Sequence, residues 1–246
     1  MPIIKKQIIN RFNKSVSTYD NAAEMQSEIA ARLVSRLSTL SPQSILEIGC
    51  GTGLLSDHLL ALFPKTPLFL TDISPAMIAH CRQRFLNQSH IQFICQDGEK
   101  LMTQSIFDLI ISNMTFHWFS DIQKSVTQLL NQLTPDGKFI FTLLGENSFH
   151  EWRAICHQFN IPAATLSFPT IKNLQILFPQ ILLEVESYQK TYQNIAAFLR
   201  SLKQLGVTAT DEEYIPLSAG KLRRIMRSDE KLHITYEVIY GVYQSL

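Results

Sequence analysis

The sequence predicts an α/β fold in which helices flank a mostly parallel sheet of seven strands. Short apolar runs alternate with helical patterns through the first part of the chain, and this alternation is typical of parallel strands joined by helices. The first run, over 44–48, leads into three glycines separated by single residues, which indicate a sharp turn from a strand into a helix. After residue 144 the rhythm changes, and we expect two late strands with helical insertions that form a lid over the carboxyl ends of the strands.

Size and composition favour a single domain with a large apolar core. The chain has 246 residues, of which 46% are hydrophobic and 17% charged, enough to bury a full α/β core. The formal charge of +1 gives no field that would attract nucleic acid or a membrane surface. No apolar stretch approaches secretory or bilayer-spanning length, so we expect a cytoplasmic protein. The cysteines form no C-x-x-C pair and predict neither a metal site nor a disulfide framework; they are Cys50, Cys81, Cys95 and Cys156.

The predicted domain covers residues 1–246 and has three parts: a helical cover over 1–42, a core over 43–144 and a C-terminal part over 145–246. In the core, apolar periodicity predicts strands at 44–48, 67–71, 91–95, 106–112 and 137–143, with helices near 53–62, 75–86 and 121–132. The C-terminal part adds predicted strands at 181–185 and 232–243 and a helix near 194–205. Ser74 before Pro75 predicts a helix N-cap followed by proline at the first helical position.

The glycine turn over 44–53 is the strongest functional signal. Gly49, Gly51 and Gly53 let the backbone approach a ligand without a Cβ in the way. Their spacing differs from the dinucleotide fingerprint, whose third glycine comes one residue later. Glu47 before the turn would repel a pyrophosphate but suits a cationic amino group. Together these residues resemble motif I of the class I S-adenosylmethionine-dependent methyltransferases, whose fold is Rossmann-like; the alternative is a structural glycine turn in another α/β protein.

Further residues match the expected cofactor site. Asp72 ends the second predicted strand, where a carboxylate accepts hydrogen bonds from ribose hydroxyls. Asp97 is placed to accept a hydrogen bond from the adenine amino group, with a turn residue as the alternative. Ile73 and Met102 supply apolar contact to adenine unless they belong to the core, and Asn113 offers amide or backbone groups near the sulfonium. The predicted cofactor set is completed by Cys50 and Gly98.

Segments outside this core resemble the malonyl-[acyl-carrier protein] O-methyltransferase family of biotin biosynthesis. The similarity covers nearly the whole chain. It is carried by residues 11–15 with Thr18, Tyr19, Asp20 and Gln26, and by 108–118, 148–153, 198–206 and 235–241. Two features depart from the family: His117 stands where Gln is usual, and the region 207–230 lacks a clear glycine-led motif.

The resemblance implies methyl transfer from S-adenosylmethionine to the free carboxylate of malonyl-acyl-carrier protein or malonyl-CoA. S-adenosylhomocysteine is then the second product, and the methyl ester primes the pimeloyl part of biotin. A carboxylate with a pKa of roughly 3.5 is already ionised at neutral pH and needs no general base. The predicted residues at the reaction centre are Tyr19, Asn113, His117, Arg153 and Arg200, of which either arginine is expected to pair with the substrate carboxylate.

Each of these residues also has a structural interpretation. Arg153 and Arg200 suit solvated helix faces, whereas Tyr19 and His117 suit packing in the lid and beside Trp118. A basic cluster is expected either to meet an acidic carrier protein or to form a solvated helix face: Lys221, Arg223, Arg224 and Arg227.

Two other functions compete with the one implied. The first is methylation of another small carboxylic acid, such as an aconitate-like substrate, or of a quinone precursor. The second, of a different class, is a methyltransferase-like assembly factor that acts on a protein partner and resembles those of respiratory complex I. The complete acidic and glycine set argues against a binding module without activity.

Overall fold

A computed structural model describes residues 3–101, 105–163, 165–207, 225 and 230–244. Its centre is a seven-stranded sheet in the order β3-β2-β1-β4-β5-β7-β6. The strands are β1 (Ile45–Ile48), β2 (Leu68–Asp72), β3 (Ile91–Cys95), β4 (Phe107–Ser112), β5 (Leu133–Leu144), β6 (Leu182–Tyr192) and β7 (Leu232–Gln244). Only β7 runs antiparallel to its neighbours, so the predicted mostly parallel sheet of seven strands is confirmed.

The helices lie on both faces of the sheet and over its carboxyl edge. They are α1 (Ile3–Ala22), α2 (Glu24–Ser35), α3 (Leu54–Leu62), α4 (Pro75–Arg84), α5 (Ile122–Leu130), α6 (His150–Gln158), α7 (Ile171–Leu177) and α8 (Ile195–Gln204). Short 3-10 helices cover Gly98–Lys100 and Phe116–Trp118. Among the described helices, none combines the length and the apolar character needed to cross a membrane.

Two apolar clusters hold the sheet between helices. All four residues of β1 are buried, as expected for a parallel strand covered on both faces. One cluster packs α2, α3 and α4 against the sheet around Ile29, Leu59 and Cys81. The other packs α5 and α7 against the opposite face around Phe139 and Phe141. The central strands, and therefore the loops at their carboxyl ends, are fixed from both sides.

Capping side chains begin α4 and α5 close to the starts that the sequence predicts. Ser74 Oγ accepts a hydrogen bond from the Met77 backbone N–H at 3.2 Å, and Pro75 follows at the first helical position. Asp121 caps α5 in the same way through Lys124 N. These caps satisfy backbone donors that a helix cannot satisfy internally.

Two strands extend beyond their predicted ends. Strand β6 continues to Tyr192 instead of ending at 185, because it is the edge strand and its outward positions carry polar side chains that hide the apolar pattern. Its whole length is paired with β7. Strand β5 begins at Leu133 instead of 137, because Leu133 pairs with Phe107 ahead of a register shift. Helix α1 lies within the predicted helical cover.

Candidate active site

A cavity opens at the carboxyl ends of β1, β2 and β4, where α/β sheets bind ligands. It is lined by the glycine turn with the loops after β2, β3 and β4, by the inner side of α1 and by the lid, together with Gln26, Leu144 and Tyr236. From the lid come Phe149, Thr165, Leu166 and Phe168 before α7, and Leu202, Leu205 and Val207 at the end of α8. A smaller recess adjoins the cavity beside Glu47 and Cys50.

The glycine turn takes backbone conformations that favour glycine. Gly49 has φ of +73°, and a Cβ there would lie 2.3 Å from Thr115 Oγ1. Gly51 lines the cavity, and its N–H donates to Asp72 Oδ2 at 2.9 Å. Gly53, at φ of +95°, starts α3 against the Phe85 ring and is not among the described cavity-lining residues. Gly53 allows α3 to pack closely against α4 here, and its predicted contact with the cofactor stays a prediction.

Asp72 connects two loops at the cavity edge. Besides the bond from Gly51, its Oδ1 accepts the Ser74 N–H at 2.8 Å. Burial raises the pKa of Asp72 to about 6, although these backbone donors favour the charged form. The carboxylate is therefore ionised at neutral pH and has lone pairs left for the hydroxyls of a ligand.

Glu47 is a buried acid beneath the turn. Its Oε2 accepts the Ser56 hydroxyl at 2.7 Å, and its side chain faces the small recess. Burial raises the pKa of Glu47 to about 8, which the hydrogen bond from Ser56 only partly offsets. A cationic group in the recess would favour the ionised form, so Glu47 suits an ammonium ligand.

Cys50 lies in the same recess with its thiol turned under the glycine turn. Its Sγ is 3.8 Å from Cys81 Sγ, and Cys81 donates to the Gly51 carbonyl at 3.2 Å. The contact with Cys81, together with burial, raises the pKa of the Cys50 thiol. The side chain packs the turn, so any contact of Cys50 with a ligand would come from its backbone.

Asp97 lies at the far end of the cavity, where the sequence predicts adenine recognition. Its Oδ2 pairs with Lys5 Nζ of α1 at 2.6 Å, and Lys5 also contacts the Glu99 carboxylate. Ile73 and Gly98 line the wall nearby, whereas Met102 lies outside the described residues. Lys5 was missed by sequence reasoning because nothing in its local pattern connects it to a loop so distant in the chain.

Helix α1 covers the cavity through contacts at both rims. Asn13 Oδ1 accepts the Ser74 hydroxyl at 2.7 Å, Phe12 packs edge-on against Trp118 at 5.5 Å, and Asp20 pairs with Arg84 at 3.0 Å. Tyr19 lines the cavity between these contacts. Burial and the nearby charge of Asp72 raise the pKa of Tyr19, so its hydroxyl stays protonated and remains a hydrogen-bond donor.

Asn113 lines the cavity, but its amide is already engaged. Nδ2 donates to the Gln26 carbonyl at 3.0 Å, and Oδ1 accepts the Thr142 hydroxyl at 2.7 Å. The amide therefore fixes α2 against the end of β4, and a ligand would meet the backbone of Asn113. The Gln26 side chain lines both the cavity and the recess, and its buried Oε1 has no hydrogen-bond partner. Sequence reasoning gave Gln26 no role of its own.

The other end of the cavity is aromatic and contains His117. The His117 ring lies 5.4 Å from Trp118 and 5.8 Å from Phe168. Burial lowers the pKa of His117 to about 3, so the ring is neutral at physiological pH. Phe149 packs beside Phe168 and edge-on to Tyr236. This end offers a dry pocket with few polar groups.

Neither predicted arginine is among the described residues that line the cavity. The guanidinium of Arg153 donates to the backbone carbonyls of Ser148 and Glu146, the latter at 2.6 Å. Arg200 is exposed on α8, and neither residue is among the described lining residues. In the described structure Arg153 stabilises the loop before α6 and Arg200 is exposed, so a carboxylate clamp by either arginine stays a prediction. The basic cluster lies outside the described residues: Lys221, Arg223, Arg224 and Arg227.

Comparisons with known proteins agree with this geometry. A family model described as a methyltransferase domain matches residues 45–137. The chain is 32% identical to the malonyl-[acyl-carrier protein] O-methyltransferase of Magnetococcus marinus, over 92% of this chain and 87% of the relative. It is 33% identical to the enzyme of the same name from Anoxybacillus flavithermus, over 84% and 82%.

Solved structures of methyltransferases share the fold. N-methyltransferase NodS from Bradyrhizobium japonicum, in complex with S-adenosylhomocysteine, aligns with a TM-score of 0.53 and 17% identity, covering 91% of this chain and 87% of that one. The plantazolicin methyltransferase BpumL, also in complex with S-adenosylhomocysteine, aligns with a TM-score of 0.57 and 16% identity, covering 99% and 98%.

We expect Asp72→Ala to weaken S-adenosylmethionine binding by roughly 1–3 kcal/mol, since the ligand hydroxyls lose a charged acceptor. For the wild type, affinity should also fall as the pH drops below about 6, because the buried carboxylate becomes protonated. Titration calorimetry measures both effects, with Glu28→Ala, an exposed acid on α2, as the control. Unchanged affinity in a folded Asp72→Ala protein would remove Asp72 from the site.

Replacing Glu47 with Gln should raise the stability of the protein at high pH and weaken its binding of S-adenosylmethionine. The folded pKa of Glu47 is raised to about 8, so the stability it contributes at low pH is lost as the pH rises towards that value. The Gln side chain keeps an oxygen that accepts the Ser56 hydrogen bond, and because it does not ionise, it loses no stability at high pH. The ligand-free variant should be more stable than wild type at pH 9 by roughly 1–3 kcal/mol, yet bind S-adenosylmethionine more weakly. Thermal unfolding at pH 6 and pH 9 tests this, and a variant less stable at pH 9 contradicts it.

For Arg153→Ala we expect a loss of stability and not of activity. Removing its bonds to two backbone carbonyls should lower the free energy of unfolding by about 1–2 kcal/mol, with kcat/KM nearly unchanged. Arg200→Ala, at an exposed position on α8, is the matched control and should change neither quantity. Denaturant unfolding measures the stability, and steady-state kinetics measure kcat/KM. A stable Arg153→Ala protein with a much lower kcat/KM would instead support a carboxylate clamp by Arg153.

Proposed function

The chain belongs to the malonyl-[acyl-carrier protein] O-methyltransferase family, and we propose that it methylates the free carboxylate of a malonyl thioester with S-adenosylmethionine. The observation that carries the proposal is the similarity to enzymes of this name over most of the chain. The geometry of the cavity agrees, since an acidic, glycine-lined end is joined to a dry aromatic end.

The acidic end suits S-adenosylmethionine. Asp72 would accept the ribose hydroxyls, Asp97 would meet the adenine amino group, and the recess with Glu47 and Gln26 would receive the methionine ammonium. The buried Gln26 Oε1, which has no partner among the protein atoms, supports a ligand donor at this point. When bound, S-adenosylmethionine supplies a methyl group on a positively charged sulfur.

The aromatic end suits an acceptor that brings its own charge. Attack of a carboxylate on a sulfonium cancels charge in the transition state, so a cavity that excludes water favours it. The walls contributed by Phe149, Phe168 and Trp118 exclude water, and the neutral His117 ring does not serve as a strong base. Tyr19 remains a candidate to donate a hydrogen bond at the reaction centre. Alignment of the reacting atoms can supply roughly 7–11 kcal/mol of the barrier.

The thioester carrier is proposed to be acyl-carrier protein or coenzyme A. Methylation masks the negative end of the malonyl group, so that enzymes acting on uncharged acyl chains accept the product as a primer for biotin synthesis. Because acyl-carrier protein and coenzyme A thioesters are cytoplasmic substrates, we propose that the enzyme acts in the cytoplasm. The basic cluster around Arg223 stays a sequence-based candidate for meeting an acidic carrier protein.

Mass spectrometry of malonyl-carrier protein incubated with the enzyme and S-adenosylmethionine tests the proposal. We expect one added methyl group, which mild alkaline hydrolysis releases as methanol, as for an ester. Acetyl-carrier protein, which lacks the free carboxylate, is the matched control and should gain none; malonyl-CoA is run in parallel to compare carriers. Methylation of a free small acid or of a quinone precursor in preference to both thioesters would contradict the malonyl assignment.

A further inference from the structure

His117 is a polar residue in the most apolar part of the cavity. It lies in the short helix Phe116–Trp118 that follows β4, next to Met114 and Thr115 in the wall. Its ring is held between Trp118 and Phe168, with Phe168 edge-on. A ring fixed by two aromatic neighbours has few alternative orientations, so its nitrogens are positioned before a ligand arrives.

The hydrogen-bonding capacity of this ring is unused by the protein. Nδ1 is buried and has no hydrogen-bond partner. Buried polar atoms without partners are rare in folded proteins, and an orphaned N–H is rarer than an orphaned acceptor. The tautomer with its proton on Nε2 is therefore favoured, because it leaves Nδ1 as the bare acceptor. Nε2 makes no hydrogen bond to a described residue and, unlike Nδ1, is not among the fully buried unpartnered atoms. Because His117 lines the cavity, its Nε2–H is the group free to donate to a ligand there.

The described walls of the cavity offer the acceptor anion no unpaired cation. Among the described residues that line it, the one lysine or arginine is Lys5, and Lys5 is already paired with Asp97 and Glu99. The other titratable groups that share the described wall with His117 are Tyr19, Asp72 and Tyr236. Neutral donors are thus what this wall offers to a carboxylate.

A neutral donor suits the reaction better than a salt bridge. The carboxylate loses its charge as it attacks the sulfonium, so a cation paired with it would stabilise the reactant more than the transition state. Only interactions that are stronger in the transition state accelerate the reaction. A single N–H from a neutral ring orients the acceptor while leaving its oxygen nucleophilic.

We propose that His117 binds the malonyl group directly, donating one hydrogen bond from its neutral ring to an acceptor oxygen and so orienting the carboxylate for attack. The proposal rests on the proposed function. It makes His117 a substrate-binding residue that orients the malonyl carboxylate, and it assigns the ring no proton transfer.

The test compares His117→Gln, which keeps a neutral N–H donor, with His117→Phe, which keeps a ring without one. Exposed His157 on α6 provides the matched control, His157→Phe. For each protein we would measure kcat and KM for the malonyl thioester, the Kd of S-adenosylmethionine, and binding of the thioester in the presence of S-adenosylhomocysteine.

We expect His117→Phe to lose roughly 10–100-fold in kcat/KM and to bind the thioester more weakly, the loss typical of one hydrogen bond to a charged group. His117→Gln should retain most of the activity, and all variants should keep their affinity for S-adenosylmethionine. Full activity of His117→Phe would overturn the proposal, and so would an equal loss in His117→Gln, which would indicate a role specific to imidazole. A wild-type protein that binds S-adenosylmethionine but leaves malonyl thioesters unmethylated would overturn the proposed function as well.

Discussion

The buried carboxylate of Asp72 is the constraint on which the geometry of the site depends. By accepting the backbone N–H groups of Gly51 and Ser74, it ties the glycine turn after β1 to the start of α4. Ser74 also donates to Asn13, so the helix that covers the cavity is fastened to the same corner. Burial makes this carboxylate costly to ionise, and the two N–H donors lower that cost. The site therefore keeps a charged acceptor where cofactor hydroxyls are expected.

The distribution of charge along the cavity follows from the same arrangement. Acids gather at the end formed by β1, β2 and β3, with Lys5 closing that end from α1. The end formed by the lid is aromatic, and its histidine is neutral because no solvent stabilises the charged ring. An acceptor that is already an anion needs neither a base nor a strong counter-charge here. The described walls at the aromatic end contain neutral hydrogen-bond donors and no unpaired cation. This combination suits an acceptor that is already an ionised carboxylate.

The sequence predicted those features that depend on neighbours in the chain. The strands of the core, the cap at Ser74 and the positions of Gly49 and Asp72 follow from local patterns, and the structure agrees with them. Lys5 and Gln26 reach the cavity only because the fold brings α1 and α2 over the sheet, which no local pattern encodes. For Arg153, the sequence likewise does not reveal that the guanidinium donates to backbone carbonyls of its own loop. Phe168 lines the cavity only because the lid folds back over it, which no local sequence pattern shows.

The most direct test of this account is the pH dependence of the methyl-transfer step in the wild-type enzyme. Single-turnover methylation of the malonyl thioester should be followed from pH 5.5 to 8.5 with S-adenosylmethionine saturating at every pH, so that titration of Asp72 and Glu47 does not affect the rate through binding. An acceptor ionised throughout this range predicts a nearly constant rate. A rate that rises tenfold per pH unit between pH 6 and 7 would show that a base must first remove a proton, and would contradict carboxylate methylation in this cavity.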